Sequence, residues 1–238
     1  GGKGKRMKSD IPKVLHKING ISMLSTIVNK SLCITPKTKT IKKIFVVAGE
    51  FKKQIMEDLK NNKLLEYVNI VEQKEALGTG HAVQCCYKYL DTNSATLILF
   101  GDMPNVKVNT LDNMYNNFID NKQNILATTV LENPFGYGRI ILDNDTIISI
   151  QEEKDANDEE RKIKLVNTGL FLLNTENLLD FIMTLDNKNK QNEYYLTDLV
   201  EIFKKNNIEI MPYNIENKNE IINVNTPEQL QQAKKVSK

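Results

Sequence analysis

Short apolar runs alternate along this chain with stretches in which apolar residues recur at helical spacing. The apolar runs are rich in β-branched residues and bounded by polar turns: KKIFVVAG, YVNIVEQ, ATLILFGD and NILATTVLE. The stretches with helical spacing are SMLSTIVNKSL, FKKQIMEDLKN, GHAVQCCYKYL and NTLDNMYNNFID. This alternation predicts an α/β fold in which helices flank a mostly parallel sheet.

The pattern changes after residue 132. The stretch YGRIILDNDTIISIQEE predicts two strands around a turn at 143–145, which indicates an antiparallel excursion added to the sheet. A charged loop or short helix, KDANDEERK, a further strand, KLVNTGLFLLN, and two more helices follow. The last helix has a clear start signal, with Thr226 as N-cap, Pro227 in the first position and Glu228 in the first turn.

Composition limits the class of protein. The 238 residues contain no repeat and no low-complexity linker, which predicts one domain over 1–238. The 32 basic and 30 acidic residues nearly cancel, so nucleic acid and anionic membranes are not expected partners. The apolar runs are shorter than the roughly 18 residues of a membrane span. Three cysteines, Cys33, Cys85 and Cys86, are an odd number, and the last two are adjacent in a predicted helix, which favours a reducing, cytoplasmic location.

The first residues, GGKGKRMKSDIPKVL, combine glycines with basic side chains. Glycines let backbone N–H groups converge on an anion, and Arg6 and Lys13 could add side-chain charge to the same phosphates. The alternative is a solvated terminus, because the loop lacks both the Walker ending and the dinucleotide spacing. A phosphate loop normally follows a buried strand, so we expect such a strand upstream of Gly1.

A second glycine-containing stretch is QKEALGTGHAVQ. Gly78, Thr79 and Gly80 open a predicted helix, where backbone donors favour a phosphate or a base carbonyl. The Gln73 amide, at the end of the preceding strand, can pair with a uracil-type imide. The alternative is an ordinary strand-to-helix turn.

A carboxylate follows the strand in LILFGDMP. Asp102 is therefore expected at the carboxyl edge of the sheet, where open α/β sheets bind ligands, and its oxygens suit Mg²⁺. The alternative is a capping or turn aspartate. His16 and His81 fit neither a Ser-His-Asp pattern nor zinc-ligand spacing.

Polar residues also accompany the predicted antiparallel excursion. Glycines flank Tyr137 in NPFGYGRIILD, Glu152 lies in QEEKDA, and Asn167 lies in LVNTGLF. Glu and Asn side chains suit paired hydrogen bonds with sugar hydroxyls or an acetamido group. The alternative, solvated loop polarity, is stronger for Glu153 and Lys154 than for Asn167, which lies in an apolar strand.

Taken in order, these stretches, together with NEYYLTDLV and NVNTPEQL, resemble the uridylyltransferase domain of bacterial-type N-acetylglucosamine-1-phosphate uridylyltransferases. The resemblance covers nearly the whole chain, and its most specific parts are LGTGHA, NPFGYGRI with EEKDA, and NEYYLTD. It implies a Rossmann-like nucleotide-diphospho-sugar transferase fold with the antiparallel excursion over the sugar site. It also implies Mg²⁺-dependent transfer from UTP to N-acetylglucosamine 1-phosphate, giving UDP-N-acetylglucosamine and pyrophosphate.

The same resemblance implies roles for individual residues. Gly2 matches the loop that contacts the nucleotide, and Arg6 and Lys13 match the catalytic basic residues that face the triphosphate. The expected uracil contacts are Gln73, Gly78 and Thr79, and the expected Mg²⁺ ligands are Asp102 and Asn225. The positions expected around the amino sugar are Gly138, Glu152, Asn167, Tyr195 and Thr197.

Some features depart from the family, and two other functions stay open. Asn223 stands where relatives often have glycine, a change that Asn tolerates if φ is positive. The left-handed β-helix acetyltransferase domain of bacterial relatives has no counterpart here, so acetyl transfer is not expected. The open alternatives are a pyrophosphorylase for another sugar 1-phosphate or nucleotide, and an inactive nucleotide-sugar-binding module. The sequence leaves the oligomeric state and the configuration of the sugar open.

Overall fold

The computed structural model describes residues 5–35 and 43–237. The chain divides into two compact units, each made of separate segments. Unit 1 comprises Gly1–Ala76, Leu99–Asn116 and Asn217–Lys238, and unit 2 comprises Leu77–Ile98 and Asn117–Glu216. The prediction of one domain over 1–238 stays a prediction, because the lobes of one domain and separate domains both divide a chain in this way.

Strands and helices alternate through most of the described residues. The strands are β1 (Lys17–Ile18), β2 (Ile21–Ser22), β3 (Ile44–Ala48), β4 (Val68–Glu72), β5 (Ala95–Ile98), β6 (Asn124–Val130), β7 (Arg139–Asp143), β8 (Thr146–Gln151), β9 (Leu165–Asn174) and β10 (Ile210–Asn214). The α-helices are α1 (Met23–Cys33), α2 (Lys52–Asn61), α3 (Thr79–Gln84), α4 (Val108–Asn121), α5 (Thr175–Phe181), α6 (Asp198–Lys205) and α7 (Pro227–Val236). Among these described helices, none is long and apolar enough to cross a membrane.

Unit 1 is built around a parallel strand pair and two apolar clusters. β3 and β4 pair in register from Ile44 opposite Val68 to Ala48 opposite Glu72. One cluster packs α1 and α2 on these strands through Leu24, Val28, Val46, Ala48, Ile55, Leu59 and Leu64. The other joins the N-terminal segment to α7 through Met7, Ile18, Met23, Ile222, Val224, Leu230 and Ala233. The second cluster anchors the segment that carries Arg6 and Lys13.

Unit 2 contains a six-stranded mixed sheet in the order β10-β6-β9-β7-β8, with β5 paired to β9. β10 runs parallel to β6, whereas β9 runs antiparallel to β5, β6 and β7. α5 and α6 cover the sheet through a cluster that includes Leu126, Ile140, Phe171, Leu178, Leu199 and Phe203. The long buried strand β9 thus holds the middle of the unit.

The predicted α/β class with flanking helices is confirmed, and the antiparallel part is larger than a local excursion. β9 is buried along most of its length, a pattern typical of a parallel strand, yet it pairs antiparallel with β5, β6 and β7. The hairpin predicted at 143–145 forms, with Asn144 at φ 53° in the turn. α3 ends at Gln84, earlier than the apolar spacing predicts, and a short 3₁₀ helix, Tyr87–Tyr89, follows it.

Candidate active site

Four residues that the sequence singles out come together in unit 1. The Lys13 Nζ lies 2.5 Å from the Asp102 Oδ2 and 2.8 Å from the Asn225 Oδ1. The Arg6 Nη2 donates to the same Asn225 Oδ1 at 3.2 Å. The predicted phosphate-binding cations therefore lie beside the predicted metal ligands.

Local structure explains how Lys13 reaches Asp102. Lys13 begins a 3₁₀ turn, Lys13–Leu15, that follows Pro12. A Cβ on Gly101 would lie 3.3 Å from the Val14 Cγ1, so a glycine lets the turn that carries Asp102 approach this segment closely. Asp102 lies in a turn beyond β5 rather than directly on the strand end.

The cap of α7 positions Asn225. Thr226 is the N-cap that the sequence predicts, and its side chain also forms a capping box with the Gln229 side chain. The same Gln229 Oε1 accepts from the Asn225 N–H at 2.8 Å. The Val224 N–H donates to the Asp102 carbonyl at 2.9 Å, which links the two predicted metal ligands through the backbone.

The residues of this group fit a divalent cation with oxygen ligands. The Asp102 Oδ1 is buried and has no hydrogen-bond partner within the described part of the chain. Because one Nζ atom contacts both the Asp102 and Asn225 side chains, a single cation can reach both. Within residues 5–35 and 43–237, no group of three or more His, Cys, Asp or Glu side chains is arranged to hold a metal ion. Mg²⁺ usually takes one or two protein ligands and fills its remaining positions with water and substrate phosphates.

The predicted sugar residues of unit 2 lie beside one another at the end of the β7–β8 hairpin. Arg139 pairs with Gln151 on β8 and with Val166 on β9, so the neighbours Gly138, Glu152 and Asn167 occupy adjacent positions. The Asn167 N–H donates to the Gly138 carbonyl at 2.9 Å. A Cβ on Gly138 would lie 2.9 Å from the Ile150 Cγ2 and 3.6 Å from the Glu152 Oε1. Because Gly138 has no side chain, the space between the Glu152 and Asn167 side chains stays free of a Cβ atom.

The Glu152 and Asn167 side chains both form hydrogen bonds within unit 2. The Thr197 hydroxyl donates to the Glu152 Oε1 at 2.9 Å. The Asn167 Oδ1 accepts from the Gly169 N–H at 2.8 Å, which leaves the Asn167 NH₂ group as the part able to donate to a ligand. Burial raises the pKa of Glu152, and the bond from Thr197 opposes this rise. A buried carboxyl of this kind is suited to binding hydroxyl or amide groups.

Tyr195 is close to these residues, but its hydroxyl bonds to protein groups. It donates to the Asp155 Oδ2 at 3.2 Å and accepts from the Gln191 Nε2 at 2.7 Å. The Asp155 Oδ1 in turn accepts from the Lys190 N–H at 3.1 Å. Tyr195 thus fastens the loop before α6 to the segment after Glu152, and its predicted contact with the sugar stays a prediction.

A group of carboxylates surrounds the start of α6. Burial and then the negative charge of Glu152 raise the pKa of Asp198 to about 6, with smaller contributions from Asp186, Glu201 and Asp155. The ordinary value is 3.8, so the folded protein holds this proton more tightly than the unfolded chain does. This contribution to stability is present at low pH and is lost as the pH rises through the folded-state value.

We expect Asp198→Asn to become more stable relative to wild type as the pH rises from about 4 to about 7, because only wild type must ionise this carboxyl. Thermal unfolding of both proteins across this range measures the effect. Glu176→Gln, at an exposed carboxylate in the first turn of α5, controls for the loss of one charge near a helix N-terminus. A Tm difference that is independent of pH for Asp198→Asn would contradict the prediction.

The predicted uracil contacts lie in both units. Gln73 directly follows β4 in unit 1, and its side chain is buried. In unit 2, Gly78 has a φ of +111°, and a Cβ there would lie 2.5 Å from the Tyr194 carbonyl oxygen. The Gly80 N–H donates to that carbonyl, and the Thr79 hydroxyl accepts from the Leu196 N–H at 3.1 Å. Gly2 lies outside the described residues, and these four nucleotide contacts stay predictions.

The helix start at Gly78 offers fewer free donors than the sequence predicts. α3 has only six residues, and the Gly80 N–H is already bonded to Tyr194. The stretch LGTG therefore serves first to fasten the segment that leads to Thr197. The requirement for glycine at 78 comes from the close approach of the Tyr194 backbone.

The expectation of a solvated Glu153 is wrong. The Glu153 Oε2 lies 2.7 Å from the Arg139 Nη2 and accepts from the Gly136 N–H at 3.0 Å. Burial acts to raise the pKa of Glu153, but the Gly136 N–H and the Arg139 guanidinium outweigh it and hold the pKa below its usual value. Sequence reasoning missed this pair because neither residue's immediate neighbours indicate the contact, and only the hairpin register brings Arg139 and Glu153 together.

Comparison with solved structures identifies the fold. The structure is similar to a putative glucose-1-phosphate thymidylyltransferase from Bacillus anthracis, with a TM-score of 0.79, 18% identity and coverage of 99% of this chain and 92% of that one. It is also similar to a UDP-glucose pyrophosphorylase complexed with UDP-glucose, with a TM-score of 0.68, 18% identity and coverage of 90% and 87%. The chain therefore has the fold of the sugar nucleotidyltransferases.

The chain belongs to the MobA-like NTP transferase domain family, which matches residues 1–180. It is 42% identical to a probable UDP-N-acetylglucosamine pyrophosphorylase of Acanthamoeba polyphaga mimivirus, over 100% of this chain and 94% of that protein. It is 38% identical to the bifunctional protein GlmU of Streptococcus uberis, over 94% of this chain and 47% of that protein. The chain thus spans about half the length of its bacterial relative. Nucleotidyltransferases of this family generally use a divalent metal ion.

Proposed function

We propose that this protein transfers a uridylyl group from UTP to N-acetylglucosamine 1-phosphate, giving UDP-N-acetylglucosamine and pyrophosphate, with Mg²⁺ as cofactor. The observation that carries the proposal is the convergence of Lys13, Asp102 and Asn225 in unit 1. The name of the similar viral protein, a probable UDP-N-acetylglucosamine pyrophosphorylase, supports the choice of substrate. All three cysteines are free, which supports a reducing, cytoplasmic location.

The reaction requires alignment and charge neutralisation more than proton transfer. An oxygen of the sugar phosphate attacks the α-phosphorus of UTP, the bond from that phosphorus to the α,β-bridging oxygen breaks, and pyrophosphate leaves. The attacking phosphate is already ionised near neutral pH, so no general base is needed. Mg²⁺, when bound, lowers the repulsion between the reacting phosphates.

The residues of unit 1 supply the protein's part of this chemistry. Asp102 and Asn225 would hold the metal through a carboxylate and an amide oxygen. Lys13 and Arg6, now bonded to these side chains, carry the positive charge that stabilises the leaving pyrophosphate. The proposed sugar subsite in unit 2 consists of Glu152, Asn167 and the space that Gly138 leaves free by having no side chain.

A substrate panel with purified protein tests the proposal. Pyrophosphate release is measured with UTP and each of N-acetylglucosamine, N-acetylgalactosamine and glucose 1-phosphate, and then with ATP, CTP, GTP and dTTP in place of UTP. We expect the highest kcat/KM for UTP with N-acetylglucosamine 1-phosphate, and activity that chelation of divalent cations abolishes. A preference for another pair would replace the proposed substrates, and binding of UDP-N-acetylglucosamine without turnover would indicate an inactive binding module.

A further inference from the structure

Arg139, at the start of β7 in unit 2, is a fully buried charged side chain. Its side chain is 2% exposed, and its guanidinium contacts the Glu153 carboxylate and the Tyr137 carbonyl. Its Nε is buried with no hydrogen-bond partner in the described part of the chain. A buried ion pair that leaves a donor unpaired is seldom a net gain in stability over apolar packing. Its presence at this point therefore calls for a role in placing neighbouring groups.

The pair lies where the backbone ladder of the hairpin stops. β7 begins at Arg139 and β8 ends at Gln151, so Gly138 and Glu152 lie just beyond the last paired residues. At this end of the hairpin, the Arg139–Glu153 ion pair connects β7 to the segment after β8, beyond the last paired residues Arg139 and Gln151. Each member of the pair directly adjoins one residue of the proposed sugar subsite.

The same pair also holds the loop 134–138. The Glu153 carboxylate accepts from the Gly136 N–H, and the Arg139 guanidinium donates to the Tyr137 carbonyl. Gly136 has a φ of +86°, and the loop carries Phe135, which is 77% exposed and contributes little packing. The loop that leads into Gly138 is thus shaped by these two charge-assisted contacts.

We propose that Arg139 and Glu153 are positioning residues for the sugar subsite, which hold Gly138 and Glu152 at the spacing that the sugar ring requires. This proposal rests on the proposed function, because it assigns Gly138 and Glu152 to the sugar. The pair acts through its neighbours and does not touch the reacting phosphates. Losing it should therefore weaken binding of the sugar moiety and leave binding of the nucleotide moiety unchanged.

The test compares the dissociation constants of UDP and UDP-N-acetylglucosamine, measured calorimetrically for the full chain. The Kd of UDP divided by the Kd of UDP-N-acetylglucosamine, in one protein, reports how much the sugar adds to binding. We expect Glu153→Gln, which removes the charge but keeps an acceptor, to lower this ratio about tenfold with the UDP value unchanged, since small misplacements of binding groups have effects of this size or larger. Arg139→Lys, which keeps the charge but loses the planar fork, should lower the ratio in the same way.

The chain offers a matched control. Lys164 and Glu132 form a pair in the same unit with the same 2.7 Å separation, but their side chains are 53% and 81% exposed. Glu132→Gln makes the same chemical change as Glu153→Gln and should leave the ratio at its wild-type value. Glu152→Gln, at a proposed direct contact, is the positive control that should lower the ratio.

The outcomes show whether the Arg139–Glu153 pair positions the sugar subsite or only stabilises the fold. A lowered ratio in both Glu153→Gln and Arg139→Lys, with unchanged UDP binding, supports the proposal. An unchanged ratio, or an equal loss of both affinities together with a lower Tm, would overturn it and leave a purely structural pair. If wild type binds UDP and UDP-N-acetylglucosamine equally, the proposed sugar assignment itself fails, and this result is visible without any variant.

Discussion

Replacing Asp102 by alanine is expected to lower kcat for pyrophosphate release about a thousandfold, because the proposed metal loses its only charged protein ligand. The buried Asp102 Oδ1, which has no hydrogen-bond partner in the described residues, is the structural reason for this expectation. Steady-state kinetics at saturating UTP and sugar phosphate measure the loss. Binding of Mn²⁺ to the free protein, followed by electron paramagnetic resonance, should weaken in the same variant.

Two further variants separate metal binding from loss of structure. Asp102→Asn keeps an oxygen that can accept from Lys13 but removes the charge, and we expect its kcat to fall nearly as far as that of the alanine variant. Glu57→Ala, on the exposed face of α2 in the same unit, controls for loss of a carboxylate. Wild-type kcat and unchanged Mn²⁺ binding in Asp102→Ala would show that the metal ligand lies elsewhere.

Replacing Lys13 by methionine is expected to lower kcat about a hundredfold, because positive charge near the leaving pyrophosphate is lost. The same change should strengthen Mn²⁺ binding to the nucleotide-free protein. The reason is that the Lys13 ammonium contacts both Asp102 and Asn225, so a cation must compete with it for these oxygens. Kinetics and Mn²⁺ titration of the same preparation measure both effects.

The opposite signs of these two effects make the Lys13 prediction specific. A merely unfolded site would lose turnover and metal binding together. Lys17→Met, at an exposed lysine on β1, is the control for loss of one positive charge in unit 1. Unchanged turnover in Lys13→Met would remove Lys13 from the catalytic group, and weaker Mn²⁺ binding would show that Lys13 does not compete with the metal.

Local signals in the sequence predict the elements whose geometry depends on neighbouring residues. Thr226 and Pro227 predict the start of α7, and the helix begins at Pro227 with Thr226 as its N-cap. The polar turn at 143–145 predicts the hairpin of β7 and β8 in the same way. Strand direction around β9 was not predictable in this way, because its apolar run is typical of a parallel strand, whereas β9 pairs antiparallel with β5, β6 and β7.

In the candidate site, too, the sequence predicts the residues but not the contacts between them. Residue types and spacing single out Lys13, Asp102 and Asn225, and the resemblance to the uridylyltransferases assigns their roles. The sequence cannot show that Lys13 contacts both predicted metal ligands, since these residues are 89 and 212 positions apart from it. That contact depends on the close approach at Gly101 and on the apolar cluster that joins the N-terminal segment to α7.

By itself, then, the sequence determined the class of fold, the capped helix, the hairpin and the chemical types of the site residues, because each depends on local pattern or on matched motifs. Only the tertiary structure decided which partners these side chains have. It bonded the Tyr195 hydroxyl to Asp155 and Gln191, and it turned Glu153 from an expected solvated charge into the partner of the buried Arg139. Hydrogen bonds and ion pairs between distant segments depend on register and burial, and neither is encoded in any short stretch of the chain.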